Sequence, residues 1–249
     1  MDTTLKQIGA AALTVIVYAF LFGWQVSLIL TVAVAFHEMS HIMAARKLGM
    51  KTGGFYLMPF VGGIAFIEGT YSSYTKQAII VLAGPIGGGL LALVTTGLYL
   101  LTGSHFFLVA AVVMLYLNVF NLLPLSFLDG GQVMSTITYS INRTLGMVCF
   151  VGSTVIAIGL LCFLNPAVAA FVALLGGVGA YREIRNWRHF RAGRYQLVDD
   201  HYLEPPKKLS VWQMALTIGV WIGTAVILLS TLYFLQGQPD SGLETLLVK

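Results

Sequence analysis

Apolar positions in this chain neither alternate with polar ones nor recur every third or fourth residue. They run on in predominantly apolar stretches of 16 to 25 residues, separated by charged clusters and turn-forming segments. Stretches bounded in this way lie near residues 7–24, 26–45, 77–101, 106–123, 146–164, 166–181 and 211–235. A helix of about 20 apolar residues crosses the hydrocarbon of a bilayer, so the pattern predicts an all-α multi-span membrane protein with six to seven transmembrane helices. A single straight helix over 146–181 would reach about 54 Å, well beyond a hydrocarbon core of about 30 Å. Asn165-Pro166 supplies a turn that splits it, and the second half, 166–181, is short enough to be tilted or only partly inserted. One segment breaks the pattern: residues 54–69 are apolar but too short and too interrupted to span. They read as two short strands around Gly62-Gly63. Irregular backbone at membrane depth is tolerated where it lines a cavity or finds pairing partners, which predicts a re-entrant β-hairpin; the alternative is a hairpin resting on the headgroups.

Composition sharpens this picture. Hydrophobic residues make up 57% of the 249 positions and charged residues 10%, against about 25% charged in a soluble domain. Too little chain remains between the spans for a separate soluble domain with its own core. One membrane domain is expected, in three parts: an N-terminal span at 1–25, a core at 26–135, and a C-terminal membrane region at 136–249 with a basic segment at 182–210. The run from Gln7 to Trp24 exceeds a typical signal core and lacks a small-x-small cleavage site after it, so it counts as the first span. Cys149 and Cys162 lie about 20 Å apart along one helix and cannot bridge each other.

A formal charge of +4 would suggest nucleic acid if the basic residues shared one folded surface. Their distribution points to the bilayer instead. With 146–181 counted as two spans, Lys6, Arg46, Lys47, Lys51, Lys76, Arg143, Arg182, Arg185, Arg188, Arg191, Arg194, Lys207 and Lys208 all fall on one side, and only Lys249 falls opposite. The positive-inside bias therefore selects the split and a cytoplasmic N-terminus. The arginines from 182 to 194 recur at every third position, interleaved with Ile184, Trp187 and Phe190. A cytoplasmic linker that sets topology is the plain reading, and binding of anionic headgroups is the alternative.

Ionisable groups inside a membrane are costly and are functional candidates by default. Those within or at the edge of the spans are His37, Glu38, His41 and Asp129. His37-Glu-Met-Ser-His41 sets two imidazoles one helical turn apart on one face, as two ligands of one metal must be, with Glu38 beside them. At this composition chance would give the pattern on the order of 0.002 times per chain. Zinc that catalyses needs a third protein ligand and an open position for water, and Asp129 is the remaining candidate at the right depth. It follows the fourth span in Asn121-Leu-Leu-Pro124-Leu-Ser-Phe-Leu-Asp129-Gly-Gly, where Pro124 ends regular helix. The second and fourth spans both run toward the cytoplasm in the orientation argued above, so His41 and Asp129 reach the same leaflet. An ordinary Asp-Gly turn is the alternative for Asp129.

These residues resemble the signature of the site-2 protease family of intramembrane zinc metalloproteases. Its marks are a membrane-embedded His-Glu-x-x-His, here His37–His41, and a distant Asn-x-x-Pro-x(4)-Asp-Gly, here Asn121–Gly130. Pro59-Phe-Val-Gly62-Gly63 resembles the family's glycine-containing hairpin loop, and Ala83-Gly84-Pro85 the start of its middle core helix. The resemblance covers about residues 26–135. It implies one Zn²⁺ per chain bound by His37, His41 and Asp129, Glu38 as general base, and Asn121 in contact with substrate or intermediate. Gly62, Gly63, Asn121 and Pro124 are then the expected substrate-binding positions, with the hairpin's free edge open to an unwound substrate strand. Two departures stand out. Gly88 occupies a position where many members carry Asn, and residues 131–145 are too few for an inserted peptide-binding domain.

The expected function is cleavage of transmembrane or membrane-anchored proteins near the cytoplasmic face, in a bacterial inner membrane, with a regulatory membrane partner as a possible addition and no nucleic acid. Two readings compete: a divalent-metal transporter, and a catalytically inactive relative that binds membrane clients. A transporter needs ligands spaced along a path, whereas this chain has one cluster and its His105 lies opposite. Every group the hydrolysis requires is present.

Overall fold

The computed structural model describes residues 3–59, 62–164, 166–191, 197–198, 201–202 and 206–238. Helices α1 (Thr3–Phe22) and α2 (Trp24–Lys47) precede strands β1 (Thr52–Met58) and β2 (Gly62–Ile67). Then come α3 (Tyr74–Thr102), α4 (His105–Asn121), α5 (Asp129–Ile141), α6 (Arg143–Leu164), α7 (Pro166–Arg191), the short β3 (Leu197–Val198) and β4 (His201–Tyr202), and α8 (Val211–Gln236). Among the described residues four helices are long and apolar enough to cross a membrane: α2, α3, the Arg143–Leu160 part of α6, and α8. Two more apolar helices, Gln7–Phe22 within α1 and α4, are shorter. Large apolar side chains such as Phe20, Leu101, Val155, Ile156 and Trp212 are exposed. That is costly in water and favourable against lipid. The chain is thus a mostly helical membrane protein with one small antiparallel sheet at β1–β2 and a second, minimal pair at β3–β4.

The chain divides into two compact units. The first comprises residues 1–69, 82–121 and 222–249. Within it α1 packs on α2, and the Ser27 hydroxyl of α2 donates to the Val15 carbonyl at 2.7 Å. Helix α2 ends at Leu48 and Gly49, where Gly49 takes φ +78 and the Met50 N–H turns back to the Ala45 carbonyl, the glycine-assisted stop expected after a basic last turn. The hairpin pairs Met58 with Gly62 and Phe55 with Ala65, bulges between Thr52 and Gly54, and packs against α1 and α2. Its predicted strands are therefore present; the turn residues 60 and 61 lie outside the described residues.

The second unit comprises residues 70–81 and 122–221. In it α5 packs on α6 and α6 on α7. The split near Asn165-Pro166 appears as the division between α6 and α7, with Asn165 itself outside the described residues. Start signals are local. Asn142 Oδ1 accepts the Thr144 N–H ahead of α6, and Ser210 and Gln213 exchange bonds as a capping box for α8.

Two elements differ from the sequence expectation. Asp129 opens helix α5, in a stretch outside the predicted helices. Helix α7 continues to Arg191, so the first part of the basic segment is helical, with Arg182, Arg185 and Arg188 exposed and Ile184 and Trp187 half-buried. The Trp187 indole donates to Thr144, and the Arg191 guanidinium lies 5.0 Å above its ring, which ties the helix down past the end of the apolar run.

Candidate active site

Helix α2 brings His37, Glu38 and His41 into the interior of the first unit, with exposures of 3%, 8% and 7%. Their one-turn spacing points both imidazoles the same way. The two Nε2 atoms stand 3.1 Å apart, and the rings meet edge to face with centroids 4.8 Å apart. Two nitrogens bound to one tetrahedral ion at 2.0–2.1 Å would stand about 3.3 Å apart, so the pair converges as two ligands must.

The neighbouring elements approach this face through glycines. A β-carbon built at Gly84 of α3 would fall 2.2 Å from His41 Nε2 and 2.7 Å from His37 Nε2. The space in front of both nitrogens is a cradle that one methyl group would fill, and it suits a single small cation. Gly63 of β2 plays the same part for the acid, since a β-carbon there would lie 2.2 Å from Glu38 Cγ and 2.7 Å from its Oε1. The hairpin thus runs its backbone against Glu38, as only a residue without a side chain permits. Gly62, at φ +92, has nothing near its β-position; its glycine is required by conformation. Gly87 meets Ser40, whose hydroxyl is satisfied by the Phe36 carbonyl one turn back.

Helix α4 contributes Asn118, fully buried, with its Oδ1 2.9 Å from His37 Nδ1 and its Nδ2 donating to the Met114 carbonyl at 2.7 Å. Sequence reading singled out Asn121 and passed over Asn118, whose signal was an amide in the middle of an apolar run. Asn121 closes α4, half-buried, and its Nδ2 donates to the Leu117 carbonyl at 3.0 Å.

In the second unit Asp129 is buried in the first turn of α5, where the helix dipole favours a carboxylate. Main chain holds it there. β-carbons at Gly130 and Gly131 would fall 2.1 Å from the Leu122 carbonyl oxygen and 1.9 Å from that of Leu125, so the loop from 122 to 128 can fold back on this turn only because both positions lack side chains. The loop is further fixed by the Trp221 indole, which donates to the Leu122 carbonyl at 2.9 Å, and by a 2.6 Å bond between the Ser126 and Thr154 hydroxyls. Pro124 is exposed within it. Burial, and then the charge of Asp129, push the Tyr71 hydroxyl above its ordinary pKa. Tyr139, which donates to Glu183, is pushed up by burial and by that carboxylate.

The family model of peptidase family M50 matches residues 25–103 and 101–164, more than half of the chain. Among solved structures, the site-2 protease from Methanocaldococcus jannaschii is similar with a TM-score of 0.50 at 19% identity. The match covers 83% of this chain and 93% of that one. At that identity the likeness is one of fold. No curated protein matches the chain.

Proposed function

The chain belongs to peptidase family M50 and is an intramembrane metalloprotease, and we propose that it works with one zinc ion per chain, held by His37, His41 and Asp129, with Glu38 as general base. The observation that carries this reading is the convergence of the two Nε2 atoms beside a buried glutamate. Two imidazoles and a carboxylate, all buried, are the donor set of a hydrolytic zinc site with a position left for water. The bound ion would acidify water and polarise the scissile carbonyl. Glu38 then accepts the proton of the attacking water and hands it to the leaving nitrogen. Asn121 would leave the Leu117 carbonyl to donate to the oxyanion or to hold the substrate strand. Gly62 and Gly63 would present the β2 edge to an unwound substrate segment, and Pro124 would contact it from the loop after α4. Membership of a peptidase family speaks against the transporter reading.

Loss of metal is the direct test. Cleavage of a model transmembrane peptide should vanish on chelation and return with zinc at one ion per chain, and Asp129→Ala should lower zinc content as His41→Ala does. Full activity in thoroughly demetallated protein would end the zinc reading; full zinc content in Asp129→Ala would mean a different third ligand. In the same assay Asn121→Asp should cut turnover about 10²-fold with zinc and stability intact, whereas an active, zinc-loaded variant would leave its bond to Leu117 as its whole role.

We further propose seven spans with the N-terminus and the site at the cytoplasmic face of a bacterial inner membrane, substrates that cross or are anchored in that bilayer, and a membrane partner as regulator. The charge asymmetry supports this orientation. A tag at Met1 should be reached only from the cytoplasm and one after Lys249 only from outside; both on one side would refute the topology.

A further inference from the structure

An amide buried in the middle of an apolar helix needs partners for both of its ends, and the partners of Asn118 determine which end points where. Its Nδ2 donates to the Met114 carbonyl, so the atom facing His37 Nδ1 is the oxygen. An amide oxygen only accepts, which makes His37 Nδ1 the donor. A neutral imidazole with its proton on Nδ1 carries its lone pair on Nε2, and Nε2 is the atom that faces His41.

We propose that Asn118 is a positioning residue for the metal centre: it holds His37 in the Nδ1–H form with Nε2 aimed at the ion, and Gly88 is a glycine so that this amide has room. A β-carbon at Gly88 would fall 2.3 Å from Asn118 Oδ1 and 2.6 Å from its Nδ2. Those atoms are anchored at both ends, so a side chain at 88 must dislodge the amide. Hydrogen bonds of this kind to the far nitrogen of a ligating imidazole fix its tautomer and ring plane, and losing one typically weakens metal binding about 10- to 100-fold. The inference rests on His37 being a metal ligand, and the test below separates the two claims.

The competing role for Asn118 is structural glue between α4 and α2. Three substitutions tell them apart in the purified full-length chain, with zinc affinity measured by chelator competition and stability by thermal unfolding. Asn118→Leu removes the acceptor and should weaken zinc about 10- to 100-fold, while Asn118→Asp restores an acceptor for Nδ1 and should stay within a few-fold of the unaltered chain. Gly88→Ala should weaken zinc in the unaltered chain and add nothing in the Asn118→Leu background. In metal-stripped protein labelled with ¹⁵N-histidine, His37 should be the Nδ1–H tautomer in the unaltered chain and in Asn118→Asp, and should shift toward Nε2–H in Asn118→Leu. Unchanged zinc affinity in Asn118→Leu overturns the proposal, as does Asn118→Asp falling as far as Asn118→Leu. If Asn118→Leu fails to fold, Asn118→Asp and Gly88→Ala decide: tight zinc in Gly88→Ala with an altered His37 tautomer counts against it. His37→Ala serves as the control. If it keeps full zinc affinity the metal-site reading itself fails, and if it loses zinc while Asn118→Leu does not, only the positioning role fails.

Discussion

Glu38→Gln is expected to keep its zinc and its fold and to lose proteolysis by about 10²- to 10⁴-fold, the range over which a positioned general base contributes. The carboxamide matches the acid in size and can still fill the space against Gly63, where the hairpin backbone passes so close that a β-carbon would lie 2.7 Å from Oε1. It cannot take a proton from water at neutral pH. The expected signature is therefore a split between two readouts, turnover gone and metal content unchanged. Turnover within a few-fold of the unaltered enzyme would remove Glu38 as the base and send the search to another acceptor.

A single methyl group should be nearly as damaging at Gly84. Alanine is the better helix former by about 1 kcal/mol, so a Gly→Ala change within α3 would ordinarily stabilise. At this position the new carbon would fall 2.2 Å from His41 Nε2, 2.4 Å from its Cε1 and 2.7 Å from His37 Nε2. It would occupy the space where the two nitrogens converge. Zinc content in Gly84→Ala should fall to the level of His41→Ala, with activity lost alongside it. Gly97 lies on the same helix with nothing within 4 Å of its β-position, and Gly97→Ala should leave zinc and turnover unaltered. If Gly84→Ala binds zinc normally, the ion does not sit between the two imidazoles on the α3 side.

The convergence of His37 and His41 on α2 was readable because its information is periodic: two histidines one turn apart share a face, and in an apolar run they are costly in lipid unless a partner engages them. The hairpin was readable because Gly62 and Gly63 interrupt that apolar character. Helix α5 was not, since Gly130-Gly131 reads locally as a breaker, and only the loop carbonyls lying against that turn show why side chains are excluded there. The extension of α7 past Arg182 was hidden because hydrophobicity stops where the charges begin, while the contacts of Trp187 that hold it are long-range. Asn118 carries no spacing signal at all. Gly88, which reads in isolation as a lost polar position, acquires its meaning from that amide, which stands where its side chain would go. The glycines of α3 announced close packing without saying against what.

The hydrogen bond from Trp221 has a wider implication. The residues matched by the family model end at 164, whereas α8 begins at Val211. Yet it is an indole of α8 that fastens the carbonyl of Leu122, at the head of the loop that leads into Asp129. The border of the matched family region and the border of what holds this loop therefore do not coincide here. A helix that looks like an appended membrane anchor is a splint for the loop ahead of Asp129, and a chain cut back to the matched region would keep every proposed ligand while losing that brace.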